Sequence, residues 1–352
     1  MSQRSALIVG GGLVGTSIAL GLKQSGWQVA IEDIDEKNQS LARDLVKNSV
    51  DIEDPSLIVI ATPPEAILNE LLRLSAEHTQ ATFIDISGLK SELILKVEEF
   101  PEIVTRFVGS HPMAGRENSG PQNARGDLFQ GRAWILTPTS LSSEASIARA
   151  KEVVNDLGAI SYIMNAQEHD ETIAKISHLP QMLSSLLGAS LLGSKEDSLT
   201  LAGQGLRDIS RLAASDPKLW SALLISNRDE NLANLQQVQS LMESLMNGLT
   251  QGSAAVVEEI LTMGVEGKKL IPGKHGAKNR DYTFLPIVID DKPGQLARIF
   301  NECQVVNVNV EDLAIEHTPG QQTGLITLSL SDEDARKLQA HLNANGWLAH
   351  AP

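Results

Sequence analysis

Residues 8–15 read Ile8-Val9-Gly10-Gly11-Gly12-Leu13-Val14-Gly15, and the fold turns on how they are read. The apolar run Ala6 to Val9 has strand length, and the segment from Ser17 to Gln24 has the pattern of a helix. A G-x-G-x-x-G pattern between a strand and a helix is a dinucleotide-binding turn. Gly10 permits the tight turn, Gly12 lets backbone N–H groups approach a pyrophosphate, and Gly15 lets helix and strand pack closely. Leu13 and Val14 open the helix, at the positive end of its dipole. Asp33 ends the second strand 18 residues beyond Gly15, where a carboxylate accepts hydrogen bonds from the adenine ribose hydroxyls. It also repels a 2′-phosphate, which favours NAD over NADP, although Lys37 and Arg43 lie nearby in sequence. The plain alternative is a glycine turn that serves only strand-to-helix packing. Thr62-Pro63-Pro64, after the third strand, either borders the cofactor or stiffens a helix start.

Working outward, strand-length apolar runs alternate with helical segments as far as Asn165. They are Ala6 to Val9, Gln28 to Ile31, Leu57 to Ala61, Thr82 to Ile86, Phe107 to Gly109, Trp134 to Leu136 and Ile160 to Met164. This alternation predicts a largely parallel α/β sheet, a Rossmann domain over residues 1–166. From Glu168 to Leu270 apolar residues recur at helical spacing, as in Leu232, Leu235, Val238, Leu241 and Leu245, which predicts an all-α domain over 167–271. Pro272, Gly273 and Gly276 mark a linker over 272–282. Residues 283–352 restart with a strand (Thr283 to Ile289) and a helix opened by Pro293 and reaching Cys303. Strands at Val306 to Ile315 and Gly324 to Leu330, a helix from Asp332 to Asn345 and a short strand near Trp347 complete a βαββα(β) order.

Composition narrows the function. The 352 residues carry 29 Lys and Arg against 44 Asp and Glu, a net charge of −15, which disfavours a nucleic-acid backbone as partner. An aromatic content of 3% argues against a base-stacking surface. The 42% hydrophobic share excludes disorder throughout. A single cysteine, Cys303, excludes an intrachain disulfide and a structural thiolate zinc site, and no metal is expected. The first apolar run meets glycine too soon for a secretion signal, and no run of about 18 apolar residues could span a membrane. A cytoplasmic protein is expected. An acidic chain that acts on an anionic small molecule must gather its cations in one pocket.

Three further motifs bear on chemistry. Gly109-Ser110-His111-Pro112-Met113-Ala114-Gly115 follows a strand, Ser177-His178-Leu179-Pro180 sits in the first long helix, and Gly205-Leu206-Arg207-Asp208-Ile209-Ser210-Arg211-Leu212-Ala213-Ala214-Ser215-Asp216-Pro217 lies farther on. A neutral imidazole accepts a proton at cellular pH, so His111 is a candidate base; a lone His before Pro also serves as a loop hydrogen-bonder. The Arg211 guanidinium suits a two-pronged contact with a carboxylate, or an ion pair with Asp208 or Asp216. Arg207, four positions earlier, shares its face if one helix carries both. On residue type alone, His178 on an otherwise apolar helix is a satisfied core histidine more often than a ligand.

In order and spacing, these motifs together with the dinucleotide turn resemble the prephenate and arogenate dehydrogenase family of tyrosine biosynthesis, over roughly residues 5–280. The resemblance implies a helical domain that dimerises and an NAD-dependent oxidative decarboxylation of a cyclohexadienol. The reaction is prephenate to 4-hydroxyphenylpyruvate, or arogenate to tyrosine. The resemblance also implies His111 as catalytic base, Arg211 as anchor for a substrate carboxylate and His178 as a pocket residue. Two positions depart from the pattern. Gln181 stands where relatives commonly carry a second histidine, which removes a cation and favours tolerance of arogenate. Asp85-Ile86-Ser87-Gly88-Leu89-Lys90 replaces Asp-x-Gly-Ser-x-Lys, so the serine that assists the histidine is displaced by one, and Ser87 or a water takes its part. The C-terminal pattern, with Asp290-Asp291-Lys292-Pro293-Gly294-Gln295-Leu296 at its first strand-to-helix junction, looks like an ACT domain. That implies either tyrosine as effector or support of a homodimer. Two rivals stand beside this reading. A β-hydroxyacid dehydrogenase needs a catalytic lysine in the helical domain, where Lys175 is the candidate. A non-catalytic NAD- or amino-acid-sensing regulator needs neither a proton acceptor nor a cation in the cleft.

Overall fold

The structure, a computed structural model, describes residues 4–47, 51–114, 120–271, 282–290, 292–317 and 323–351. The chain divides into two compact units, Met1–Glu243 and Ser244–Pro352. The first is built on a seven-stranded sheet of β1 (Ser5–Val9), β2 (Gln28–Glu32), β3 (Leu57–Ile60), β4 (Thr82–Asp85), β5 (Phe107–Pro112), β6 (Ala133–Pro138) and β7 (Ile160–Ile163). Their spatial order is β2-β1-β3-β4-β5-β6-β7. All neighbours pair in parallel except β5 and β6.

The sheet is apolar on both faces because helices cover both. In β1, Ala6 and Ile8 pack into one core with Ile18 and Leu22, while Leu7 and Val9 pack into the other with Ile67 and Leu71. Each such fully buried Ile or Leu contributes about 1.5–3 kcal/mol. Chain order reverses at β1, which has β2 on one side and β3 on the other. A crevice therefore opens beyond the carboxyl ends of β1 and β3. Since β3, β4 and β5 run parallel to β1, their carboxyl ends lie along the same edge of the sheet.

Two local expectations need correction in this unit. His111 does not follow a strand but lies inside β5, opposite Ile135 of β6, because the antiparallel β6 continues the ladder to Pro112. The helical stretch is also less regular than its apolar spacing suggests. Helix Ala166–Ile173 passes through a π-turn at Ala174–His178 into helix Leu179–Ser190. Helix Gln204–Ser210 then gives way to a 3₁₀ turn at Arg211–Ala214, so Arg207 and Arg211 do not share one continuous α-helix. Helices Pro217–Ser226 and Arg228–Gln251 follow.

The second unit contains helix Ala254–Lys269 and a four-stranded antiparallel sheet of β8 (Thr283–Asp290), β9 (Asp312–His317), β10 (Thr323–Leu330) and β11 (Leu348–Ala349), in the order β11-β8-β10-β9. Helices Gln295–Val305 and Asp332–Ala344 complete it. Here β9 starts six residues later than expected. Asn307 adopts a left-handed φ of 50°, and Val306, Val308 and Val310 turn into the core instead of extending a strand. The helix expected from Pro293 begins at Gln295, after Gly294 at φ 88°. Apart from Tyr282, the expected linker lies outside the described residues. Among the described residues no helix is long and apolar enough to cross a membrane.

Candidate functional site

The glycine turn beyond β1 is shaped by close backbone contacts. Gly10 has φ +110°, and a Cβ there would stand 2.4 Å from the Ala61 carbonyl oxygen; one at Gly15 would stand 2.0 Å from the Gly10 carbonyl oxygen. At Gly12 the Cβ position meets nothing within 4 Å, so the turn leaves an open cradle there. Gly12 caps helix Leu13–Gln24 without a side-chain hydrogen bond, which leaves the first-turn N–H groups of Leu13 and Val14 available to an anion. Asp33 is held at the rim, where its Oδ2 accepts from the Gly11 N–H at 2.6 Å and its Oδ1 from the Asp35 N–H at 2.8 Å. Arg43 donates from Nε to the Ile31 carbonyl at 2.9 Å, which anchors its guanidinium at the end of β2. Beyond β3, Thr62 Oγ1 is buried and has no hydrogen-bond partner among the described residues, and Pro63 precedes helix Pro64–Glu77. Open cradle, rim carboxylate and orphaned hydroxyl together fit the pyrophosphate, ribose and polar groups of a dinucleotide.

Farther along the same edge lies a buried polar cluster. Asp85, at the end of β4, is fully buried. Its Oδ1 accepts from the Ser110 N–H at 3.1 Å, and its Oδ2 accepts from the Ser87 N–H at 2.9 Å and from Lys90 Nζ. Lys90 is equally buried, and the loss of water lowers its pKa against the opposing pull of Asp85. The Ser87 hydroxyl accepts from Lys90 Nζ at 2.8 Å and donates within the turn to Asp85 or the Leu89 carbonyl. These bonds hold Ser87 in the β4 turn, and His111 meets a different partner.

That partner is His169. His111 Nδ1 lies 2.9 Å from His169 Nε2, and His169 Nδ1 lies 2.7 Å from Asp170 Oδ1. Asn165 caps the short helix that carries both residues by accepting from the Glu168 N–H. Asp170 in turn accepts from the backbone N–H groups of Lys90 at 2.9 Å and Ser91 at 2.8 Å, which ties that helix to the β4 turn. Burial favours the neutral form of Asp170, but the hydrogen bonds from His169, Ser91 and Lys90 outweigh it and hold the carboxyl below its usual range. For His111 burial and then the neighbouring Lys90 ammonium press the pKa well below 6.5. The imidazole is therefore neutral at cellular pH and able to take up a proton.

His178 ends the π-turn, 2% exposed, with Nδ1 3.1 Å from Asn231 Oδ1 and its ring edge-on to Trp220. Burial lowers its pKa, while the Asn231 bond opposes the shift. Gln181, one turn on, is buried: its Nε2 donates to the Leu212 carbonyl at 2.8 Å and its Oε1 accepts from Ser215 Oγ at 3.4 Å. It thereby ties helix Leu179–Ser190 to the 3₁₀ turn that Arg211 begins. Lys175 donates to Gln237 Oε1 on the exposed face of the helices, which gives no support to a catalytic lysine. Sequence reasoning overlooked His169 and Asp170, and it placed Asp85 and Lys90 in a motif without giving either a role. The available signal was the adjacent His-Asp pair, one helical segment before His178.

Comparison with known proteins agrees with this layout. The family model for the prephenate dehydrogenase nucleotide-binding domain matches residues 18–163, and that for the prephenate dehydrogenase dimerization domain matches 165–262. NovF of Streptomyces niveus, a probable prephenate dehydrogenase, is 28% identical over 99% of this chain and all of its own. The prephenate dehydrogenase of Bacillus subtilis is 25% identical over 94% of this chain and 93% of its own. Among solved structures, Aquifex aeolicus prephenate dehydrogenase in complex with hydroxyphenyl propionate and NAD+ superposes with a TM-score of 0.69 at 25% identity, covering 77% of this chain and 99% of that one. Synechocystis arogenate dehydrogenase superposes with a TM-score of 0.65, also at 25% identity, covering 76% and 100%.

Proposed function

Because this chain belongs to the prephenate and arogenate dehydrogenase family, we propose that it carries out the NAD-dependent oxidative decarboxylation of prephenate, with arogenate as the close alternative substrate. One observation carries the reading: a neutral imidazole, His111, stands on the sheet edge that also bears the glycine cradle. When bound along Gly10, Gly12, Leu13, Val14, Gly15, Asp33, Thr62 and Pro63, NAD supplies the acceptor for the hydride of the hydroxyl-bearing ring carbon. His111 takes the hydroxyl proton on Nε2, the ring nitrogen that His169 does not engage, as the C–O bond becomes a carbonyl. The bond to the ring carboxylate then breaks, its electron pair enters the ring, carbon dioxide leaves and the phenol oxygen regains a proton. Arg211 anchors a substrate carboxylate, each charged hydrogen bond contributing about 1.5–3 kcal/mol. His178 walls the pocket, Gln181 holds the Arg211 turn in place, and Ser87 acts through Asp85 and Lys90.

NADH absorbance followed with prephenate and arogenate in parallel tests the substrate. His111→Asn should lower kcat by about 10²–10⁴ with little change in cofactor affinity. Near-wild-type turnover in that variant removes His111 as the base.

The four-stranded sheet with its two helices supports an ACT-like reading of the C-terminal part. At the β8-to-helix junction, Ile289, Lys292, Gly294, Gln295, Leu296 and Ile315 line a cavity of about 350 Å³. A volume of that size admits a small amino acid, and tyrosine is the proposed effector. Calorimetry on the intact protein should show tyrosine binding that Gly294→Val abolishes, since a β-branched residue is strained at φ 88°. Wild-type protein that takes up no tyrosine would leave this sheet a role in assembly alone.

A further inference from the structure

Resting on His111 as the proton acceptor, we propose that Asp170 and His169 form a relay that sets the tautomer of His111. The relay keeps a hydrogen on Nδ1 and a bare lone pair on Nε2, which makes His169 and Asp170 positioning residues for the reaction.

The assignment follows from counting donors. Both oxygens of Asp170 are occupied by backbone donors, Oδ1 by the Lys90 N–H and Oδ2 by the Ser91 N–H, so the group is an acceptor throughout. His169 Nδ1, 2.7 Å from Oδ1, must carry its hydrogen. With that hydrogen on Nδ1, the neutral ring of the fully buried His169 has a bare Nε2. A bare nitrogen 2.9 Å from His111 Nδ1 accepts a hydrogen bond only if that nitrogen is protonated. In the neutral ring, the lone pair of His111 then falls on Nε2. Gly88 faces that side: a Cβ added there would come 3.9 Å from Nε2 and Cε1, and its absence leaves room beside the accepting nitrogen.

The opposite arrangement does not serve the reaction. A His169 that donated from both nitrogens would place the lone pair of His111 on Nδ1, and the nitrogen facing the cleft could accept nothing. The charged groups around His111 bear on the same balance. Lys90 and Asp85 form a buried ion pair in the β4 turn, Asp170 supplies one negative charge behind His169, and His178 is neutral by burial. When His111 becomes an imidazolium, its Nδ1–H becomes a charged donor to His169, and the Asp170 carboxylate stabilises the pair without moving a proton itself. Asn227 donates to the Asp170 carbonyl at 2.9 Å, which fixes the far end of the relay. This is the nucleophile–base–orienter logic of hydrolytic triads, with an imidazole as first orienter.

Two variants separate this role from packing. His169→Leu removes the acceptor, whereas His169→Gln presents Oε1 where Nε2 stood. In the first, kcat should fall by about 10- to 100-fold, part of the 10²–10⁴ that a general base contributes. KM for NAD should stay within about two-fold, as binding of the cofactor is untouched. The acid limb of the kcat/KM profile should move to lower pH, because the imidazolium has lost its stabilising acceptor. His169→Gln should restore most of the rate. Equal loss in both variants with an unmoved acid limb would reduce His169 to a packing residue and overturn the relay. A measurement on the unmutated protein stands beside these: ¹⁵N-histidine NMR, with the His111 signals identified by their loss in His111→Asn. It should find Nδ1 protonated and Nε2 bare, and the reverse tautomer overturns the proposal even if the His169 variants do not fold. Full turnover by His111→Asn would instead remove the base assignment beneath it, so the two failures are told apart.

Discussion

His111 and His178 both sit where the fold penalises their charged forms, and this makes stability depend on pH. Both pKa values are depressed below 6.5 in the folded protein by burial first. The unfolded chain therefore binds more protons than the native protein just below that value, and the stability from burying neutral rings is complete above it and lost as pH falls toward the folded pKa values. Thermal unfolding followed against pH should give a flat Tm above about pH 7 and a decline below about 6.5. The decline should be shallower in His111→Asn, which has one titrating ring fewer. An equally steep decline would place the linkage elsewhere. Residues marked by chemical type stood out in the sequence as candidates: the glycines, Asp33, His111 and Arg211. The pairings of Lys90, Asp85, His169 and Asp170 did not, because they come from burial and from partners 25 to 80 positions away.

At the level of elements, the helices act as brackets that set side chains at fixed places. The π-turn at Ala174–His178 lets the Leu179 N–H reach back five residues to the Ala174 carbonyl, immediately before Pro180, whose missing N–H cannot support a regular ladder. That extra residue per turn rotates His178 relative to the helix that carries His169. Gln181 then fastens the following helix to the Arg211 turn. Gln181→Leu should raise substrate KM several-fold through the unfastened turn, with kcat and NADH affinity much less affected and a stability loss of about 1 kcal/mol. A KM that does not move would mean that the turn is held by Ser215 and its own backbone. The apolar spacing predicted helices here correctly, but a hydrophobic pattern does not encode a π-turn or a 3₁₀ break. The same limit explains β9. Val306, Val308 and Val310 have the alternation of a strand, and only the left-handed Asn307 shows that they turn inward.

For the whole molecule, the helical segment leaves large apolar side chains exposed that a chain at net charge −15 gains by covering. Helix Arg228–Gln251 presents Met242, Met246 and Leu249 at i, i+4 and i+7, each more than half exposed, and Leu232, Leu261 and Met263 are also exposed. These residues fall in the segment, or next to it in sequence, that matches a dimerization-domain model. A second copy of the chain is the occupant this argues for, since an isologous interface covers the same stripe on both subunits at once. Light scattering on the purified protein should give the mass of two chains, and the pair Met246→Asp and Leu249→Asp should shift it to one. Each buried carboxylate would face desolvation with no partner, which a two-fold interface suffers twice. A wild-type protein that runs as a monomer at micromolar concentration would remove the dimer and leave the stripe to another partner. A variant that remains dimeric would place the interface on a different helix face.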